Sequence, residues 1–160
     1  MRAFLLMAFA FTFLNVSAQC DEIDPLNEEI ISLARAKKGK KVLRGECWDL
    51  AKYVLEETGA KWDGMYEYGR LLKPGECLMP GDIIQFKNVK IQYKIGRSTY
   101  TELMTHHTAI INEVVSENEV ELIHQNTAIH GKKVTTSLLR FNTVVKGKYM
   151  IYRPVPGSSD

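Results

Sequence analysis

The fold is decided by two short stretches of sequence, GECW at residues 45–48 and HHTAI at residues 106–110. The first opens a pattern in which apolar residues recur every three or four positions, which is typical of an amphipathic helix. The second opens a run of β-branched and apolar residues, which is typical of a strand. We interpret the two stretches together as a thiol nucleophile at the start of a helix and its histidine base at the start of a strand.

Two helices are predicted in the first third of the chain. Asn27 is the expected cap of the first helix, whose apolar stripe ends at Gly39. The second helix is expected to start near Glu46 and to stop at Gly59. Cys47 then falls in the first turn of this helix, on the face that packs against the rest of the protein.

After residue 81 the pattern changes from helical to extended. Strands are predicted at residues 82–86, 89–93, 107–115, 119–126, 133–137 and 148–152. Helices followed by strands indicate an α+β fold with N-terminal helices packed on an antiparallel β-sheet. Because side chains alternate between the two faces of a strand, His107 shares a face with Ala109, and His124 shares one with Asn126 on the following strand.

The position of Cys47 suggests how its thiol would be activated. A thiol at a helix N-terminus meets unpaired backbone N–H groups and the positive end of the helix dipole, which favour the thiolate and lower the thiol pKa. After attack on an amide carbonyl, the same N–H groups can stabilise the oxyanion. His107 would protonate the leaving amine and then activate the water that hydrolyses the thioester. His124 and Asn126 are the candidates for the polar group that holds the other imidazole nitrogen.

Four blocks in order, at residues 45–48, 80–86, 107–111 and 124–126, resemble the CHAP and NlpC-like families of papain-fold amidases and endopeptidases. Many members cut bacterial cell-wall peptides, so the resemblance implies a peptide or peptidoglycan fragment as substrate. It also implies the catalytic residues Cys47, His107, and either His124, as in NlpC-like members, or Asn126. The chain departs from CHAP members in having histidine rather than an acid at position 124. It also departs in carrying a long insertion at residues 89–105, which would form either a lid or a long hairpin.

The N-terminus resembles an export signal. A basic residue precedes an uncharged apolar run at residues 3–14, and small residues lead up to Ala18. We therefore expect residues 1–18 to be a signal peptide cleaved after Ala18, and the mature protein to be secreted or periplasmic. The run is shorter than the roughly 20 residues that span a bilayer, so no stable membrane insertion is expected. Lipidation of Cys20 is the alternative, which the bulky Gln19 before it disfavours.

The charge and length of the chain limit the kinds of partner and the number of domains that we expect. The net charge of +2 falls to +1 when the signal peptide is removed, and no block of like charges occurs, so no nucleic-acid partner is expected. Residues 19–153 are long enough for one domain with a single core, and we expect it to be a monomer. Residues 154–160, rich in Pro, Gly and Ser, are predicted to form a flexible tail.

The three cysteines give an independent indication. In an exported protein an odd number leaves one thiol unpaired. If Cys20 and Cys77 pair, Cys47 stays free, as a thiol hydrolase requires. This pairing is a hypothesis based on parity alone.

The residues leave three other functions open. The first is a catalytically silent binding or scaffolding module of papain-like fold, and the second is acyl transfer to an amine or lipid instead of water. The third is a zinc site built from Cys47, His106, His107 and His124. None of the familiar zinc-ligand spacings is present, so neither a metal nor a cofactor is predicted.

Overall fold

The computed structural model describes residues 19–157. The predicted signal peptide, residues 1–18, lies outside this part of the chain, as do residues 158–160. Within residues 19–157 there is no helix with the length and apolar content needed to cross a membrane.

Two helices precede the main sheet, α1 at Pro25–Arg35 and α2 at Asp49–Glu57. Helix α1 starts earlier than predicted, because Pro25 lies at its beginning with φ already fixed near the helical value, and Asp24 is the N-cap residue. The predicted cap at Asn27 is therefore wrong. Asn27 is buried, and its Nδ2 donates hydrogen bonds to the carbonyl oxygen of Pro80 at 3.1 Å and to Oδ1 of Asp82 at 3.0 Å.

Six strands form an antiparallel sheet with the order β2-β7-β3-β4-β5-β6, and β1 and β8 form a separate antiparallel pair. The strands are β1 Ala60–Lys61, β2 Arg70–Leu71, β3 Ile83–Ile95, β4 Ser98–Ser116, β5 Glu119–His124, β6 Thr135–Arg140, β7 Val144–Arg153 and β8 Val155–Pro156. A short 3₁₀ turn, Phe141–Thr143, joins β6 to β7. The predicted α+β fold, with helices packed on an antiparallel sheet, is confirmed.

Strands β3 and β4 form one long hairpin, paired from Ile83 opposite Ile110 to Ile95 opposite Ser98. The two strands predicted at residues 82–86 and 89–93 are therefore a single strand. The chain passes through the expected turn at Asn88 with a φ of +51°, and the register against β7 shifts there. A bulge of this kind bends a strand without ending its pairing. Residues 89–105 accordingly form the distal part of a hairpin.

The sheet has a hydrophobic core on each face. One core packs both helices against the sheet and includes Ile30, Ile31, Leu50, Val54, Ile83, Ile110 and Ile123. The other core lies on the opposite face and includes Ile84, Phe86, Ala109, Ile111, Leu122 and Leu139. Neighbouring residues of β3, β4 and β5 thus alternate between the two cores, which fixes the direction of every side chain near the candidate site.

A flexible tail was predicted for residues 154–160, but residues 155–157 are held by backbone hydrogen bonds. Val155 and Pro156 pair with β1, and the N–H of Gly157 donates to the carbonyl oxygen of Gly59 at 3.0 Å. The free edge of β1 supplies these hydrogen bonds, which the composition of the segment does not reveal.

Cys20 and Cys77 form a disulfide, and Cys47 is free, as parity suggested. The bridge lies beside a buried ion pair in which Arg153 Nη2 is 2.9 Å from Asp82 Oδ2. The same Nη2 donates to the carbonyl oxygen of Cys77 at 2.8 Å. The disulfide therefore ties the segment before α1 to the loop between β2 and β3, and Arg153 at the end of β7 contacts that loop.

Candidate active site

Cys47 lies in a turn directly before α2 rather than in its first turn, because the N-cap residue is Trp48. The N–H of Glu46 donates to Oδ2 of Asp49 at 3.0 Å, which closes this turn ahead of the helix. Gly45 precedes it with a φ of +84°. A Cβ at this position would lie 2.8 Å from Cβ of Lys132, so both the backbone conformation and the available space require glycine.

The sulfur of Cys47 lies against the edge of β4. Sγ is 3.8 Å from the carbonyl oxygen of His106, to which the thiol donates. Burial raises the pKa of this thiol by more than the backbone N–H groups of Thr108, Trp48 and Cys47 lower it. The predicted lowering of the thiol pKa is therefore wrong, because the cost of burying a thiolate exceeds what the N–H groups return.

The sulfur reaches this edge because β5 is short. Strand β5 pairs with β4 only between Ile110 and Ser116. Before Ile110, β4 has no neighbouring strand on that side within residues 19–157. Cys47 lies beside this unpaired edge, just beyond the point where the pairing of β5 with β4 ends.

His107 and His124 form a buried pair on the face of the sheet opposite the helices. His107 is 8% exposed and His124 is 2% exposed. Nε2 of His107 lies 2.8 Å from Nδ1 of His124, and Nε2 of His124 lies 3.0 Å from Oγ of Ser137. Burial lowers the pKa of His107 to about 4. Burial and the neighbouring His107 lower the pKa of His124 to about 3, so both imidazoles are neutral at pH 7.

This geometry fixes the tautomers that catalysis would need. Nδ1 of His107 can accept a proton from Cys47 only if Nε2 carries the hydrogen. Nε2 then donates to Nδ1 of His124, and Nε2 of His124 donates to the hydroxyl oxygen of Ser137. The three side chains form one directed chain of hydrogen bonds that holds the imidazole of His107 in place.

Cys47 and His107 open into the same cleft, which has a volume of about 440 Å³. One wall is formed by residues 101–106 of β4 and the other by residues 126–128. No hydrogen bond joins the thiol to the imidazole in the part of the chain described by the structure. The two groups thus face a common space in which a substrate carbonyl would lie between them.

The two candidates for orienting His107 have different positions. His124 contacts His107, whereas Asn126 is exposed and donates from Nδ2 to Oε2 of Glu46 at 3.1 Å. The other carboxylate oxygen of Glu46 lies 2.9 Å from Nζ of Lys132. Asn126 therefore ties the loop after β5 to the residue that precedes the nucleophile.

Gln125 was not among the residues predicted from the sequence, although it is 0% exposed and fixes the loop before Cys47. Its Oε1 accepts from the N–H of Val42 at 3.1 Å. Its Nε2 donates to the carbonyl oxygens of Val42 at 3.1 Å and of Glu46 at 2.8 Å. The available signal was a polar residue on the same face as Ile123, since a buried amide needs hydrogen-bonding partners.

His106 projects to the helix side of the sheet, away from His107. Its ring packs edge-on against Tyr66, with 4.2 Å between the ring centroids. Beneath it, Oε1 of Gln85 accepts from Oγ1 of Thr108 at 2.6 Å and from the hydroxyl of Tyr68 at 3.2 Å. Within residues 19–157, no group of three His, Cys, Asp or Glu side chains comes close enough to hold a metal ion.

Two helices on an antiparallel sheet, with a cysteine before the second helix and a histidine on a central strand, define a papain-like cysteine proteinase fold. The chain belongs to the AIM3/BBC1 cysteine proteinase-fold domain family, whose model matches residues 24–159. This match shows the fold and does not distinguish a CHAP or NlpC-like relationship. No curated protein matches the sequence.

Solved structures similar to the chain include two of Ly7917. The crystal structure of Ly7917 is 17% identical with a TM-score of 0.46, and the match covers 79% of this chain and 62% of that one. The crystal structure of Ly7917 with the hydrolyzing product of MDP is 17% identical with a TM-score of 0.47, and the match covers 80% and 62%. The chain thus spans less than two thirds of the length of these structures.

Proposed function

We propose that this protein is a thiol hydrolase that cleaves an amide bond in a peptide, with Cys47 as nucleophile and His107 as base. The observation that carries the proposal is that Cys47 and His107 open into one cleft while His124 holds Nε2 of His107 at 2.8 Å. A nucleophile, a base and a group that orients the base are the parts that acyl transfer requires.

The first step starts from a neutral thiol and a neutral imidazole, since burial disfavours both charged forms. As the sulfur forms a bond to the amide carbon, the thiol proton passes to Nδ1 of His107 and the carbonyl electron pair moves to oxygen. The backbone N–H groups of Cys47 and Trp48, which favour the thiolate form of Cys47, would serve as donors to this oxyanion.

The second step breaks the carbon–nitrogen bond. The imidazolium of His107 gives its proton to the leaving amine, and a thioester forms on Cys47. Water then gives a proton to His107 as its oxygen attacks the thioester carbon. The carbon–sulfur bond breaks, the acid leaves, and the thiol regains its proton.

We also propose a relationship to CHAP and NlpC-like enzymes, supported by the four ordered sequence blocks, with peptides or peptidoglycan fragments as substrates. Export of a monomeric mature protein is part of the same proposal. The Cys20–Cys77 disulfide supports export, because disulfides persist mainly in oxidising compartments.

The test is cleavage of a mixture of acetylated peptide amides and soluble peptidoglycan fragments, followed by mass spectrometry. The expected result is pairs of products whose masses sum to the mass of the substrate plus one water, formed by wild type and absent with Cys47→Ala. Circular dichroism and thermal unfolding of both proteins provide the folding control. Cleavage by Cys47→Ala near the wild-type rate would refute the proposal.

A binding or scaffolding module is the second candidate, favoured by one observation. Burial raises the pKa of Cys47 and lowers that of His107, so the resting pair is not an ion pair. The same peptide mixture distinguishes the two functions. Binding of equal strength to wild type and Cys47→Ala, without cleavage by either, would favour the module. Acyl transfer would instead appear as products that carry an added amine.

A further inference from the structure

Strand β4 extends far beyond its neighbour β5. It spans Ser98–Ser116, but β5 pairs with it only from Ile110 onward. Pairing with β3 continues without change of register to Ser98 at the tip of the hairpin. Residues 98–109 of β4 are therefore paired on one side only.

The unpaired side of this strand faces the cleft. A strand with one neighbour directs a row of N–H and C=O groups outward, and such a row is a template for another strand. Within residues 19–157, the only group found on this row at residues 101–106 is the Cys47 thiol, which donates to the carbonyl oxygen of His106. Residues 101–106 line the cleft together with Cys47 and His107.

The row of unpaired backbone groups at residues 101–106 ends beside the thiol of Cys47. Five strand residues span about 16 Å, and a paired strand would lie about 4.8 Å from β4. Residues 101–106 and residues 126–128 line the same cleft, which has a volume of about 440 Å³. A chain that pairs with residues 101–105 would thus bring its backbone to Cys47 without bending away.

The cleft walls carry little charge. Glu102 is the single carboxylate among the lining residues, and the other wall offers Asn126, Thr127 and Ala128. Leu103 is 72% exposed. Recognition here would depend on main-chain hydrogen bonds more than on particular side chains.

We propose that the outer edge of β4, at residues 101–105, binds the substrate as an extended peptide strand and presents its scissile amide to Cys47. This inference rests on the proposed function and specifies its substrate class. The substrate is a peptide in extended conformation over about four residues on one side of the scissile bond.

The test measures how fast Cys47 is alkylated by peptide probes of increasing length. Acetylated oligoalanine chloromethyl ketones extend the chain on the acyl side, and bromoacetyl oligoalanine amides extend it on the amine side. We expect one series to react faster with length, by about fivefold for each main-chain hydrogen bond gained. Intact mass and peptide mapping give the rate constants.

Single N-methylation of each alanine in the faster series is the matched control. In a strand, alternate residues face the partner, so methylation should cancel the gain at every second position and leave the intervening positions unchanged. Absence of a length effect in both series would overturn the proposal. A gain that responds equally to methylation at every position would also overturn it.

The outcomes separate this inference from the proposed function. Iodoacetamide, which is too small to pair with β4, reports the reactivity of Cys47 alone. If His107 assists the reaction of Cys47 with iodoacetamide but probe length has no effect, only the peptide-strand inference is rejected. If neither the assistance by His107 nor the length effect is seen, both the proposed function and the peptide-strand inference are rejected. Amide hydrogen exchange protection at residues 101–105 in a dimer without peptide would assign the edge to a second copy of the chain and overturn the inference.

Discussion

Nε2 of His107 lies 2.8 Å from Nδ1 of His124, and burial keeps both rings neutral at pH 7. The group that orients the candidate base is thus an imidazole without formal charge. It can fix the tautomer and direction of His107, but it supplies no negative charge to stabilise an imidazolium.

His107 and His124 should differ in their importance for turnover. His107→Ala should lower kcat by about 10²- to 10⁴-fold, the range typical of a lost general base. His124→Ala should cost less, because the base stays present but loses its orientation. His124→Gln should recover part of this loss, since its amide oxygen can accept from Nε2 of His107. Equal losses in His107→Ala and His124→Ala would show that the assigned roles are wrong.

Gln125 should matter both for stability and for the nucleophile. Gln125→Ala leaves the N–H and carbonyl of Val42 and the carbonyl of Glu46 without their partner, at an expected cost of about 1–3 kcal/mol in the free energy of unfolding. Cys47 should also react more slowly with iodoacetamide under native conditions. Urea unfolding and thiol labelling check the two effects, with Gln92→Ala in the distal hairpin as control. Wild-type values for both would remove Gln125 as a positioning residue.

The disulfide should contribute strongly to stability. Cys20 and Cys77 close a loop across a sequence separation of 57 residues. Replacing both by Ser should lower the free energy of unfolding by about 2–4 kcal/mol. Urea unfolding of oxidised wild type and of the double variant measures this difference. Coincident unfolding curves would contradict it.

Acid should destabilise the fold through the histidine pair. The pKa values of His107 and His124 are lowered to about 4 and about 3 in the folded state, so the unfolded chain binds protons first as the pH falls below about 6.5. The contribution of the pair to stability is therefore full above pH 6.5 and falls as the pH drops to about 4 for His107 and to about 3 for His124, by up to about 1.4 kcal/mol per pH unit for each histidine. His124→Gln should reduce this slope, and His106→Gln, at an exposed position on the other face of the sheet, is the control. Equal slopes for wild type and His124→Gln would contradict the assignment.

The sequence predicted the fold class and the chain order of the elements because apolar periodicity is a local property. His124, one of the two residues predicted as candidates to orient His107, contacts His107. Parity of the cysteines led to the Cys20–Cys77 bridge.

Features that depend on distant contacts were not predicted. The continuous β3 depends on its pairing with β4 and β7 on both sides of Asn88. The start of α2 is a local exception, in which Oδ2 of Asp49 accepts from the N–H of Glu46. The raised pKa of Cys47 and the lowered pKa of His107 follow from burial by residues far apart in the sequence. Gln125 could be placed on a face, but its partners at residues 42 and 46 lie some eighty positions away.

The most direct measurement is the rate of Cys47 alkylation by iodoacetamide across the pH range, in wild type, His107→Ala and the exposed-histidine control His130→Ala. If His107 accepts the thiol proton, wild type should show a reactive plateau that falls as the pH drops toward 4, and a further rise above the ordinary thiol range near about 8.5. His107→Ala should lose the plateau and keep only the alkaline rise, and His130→Ala should match wild type. Superimposable profiles for wild type and His107→Ala would contradict the assignment of Cys47 and His107 as a catalytic pair.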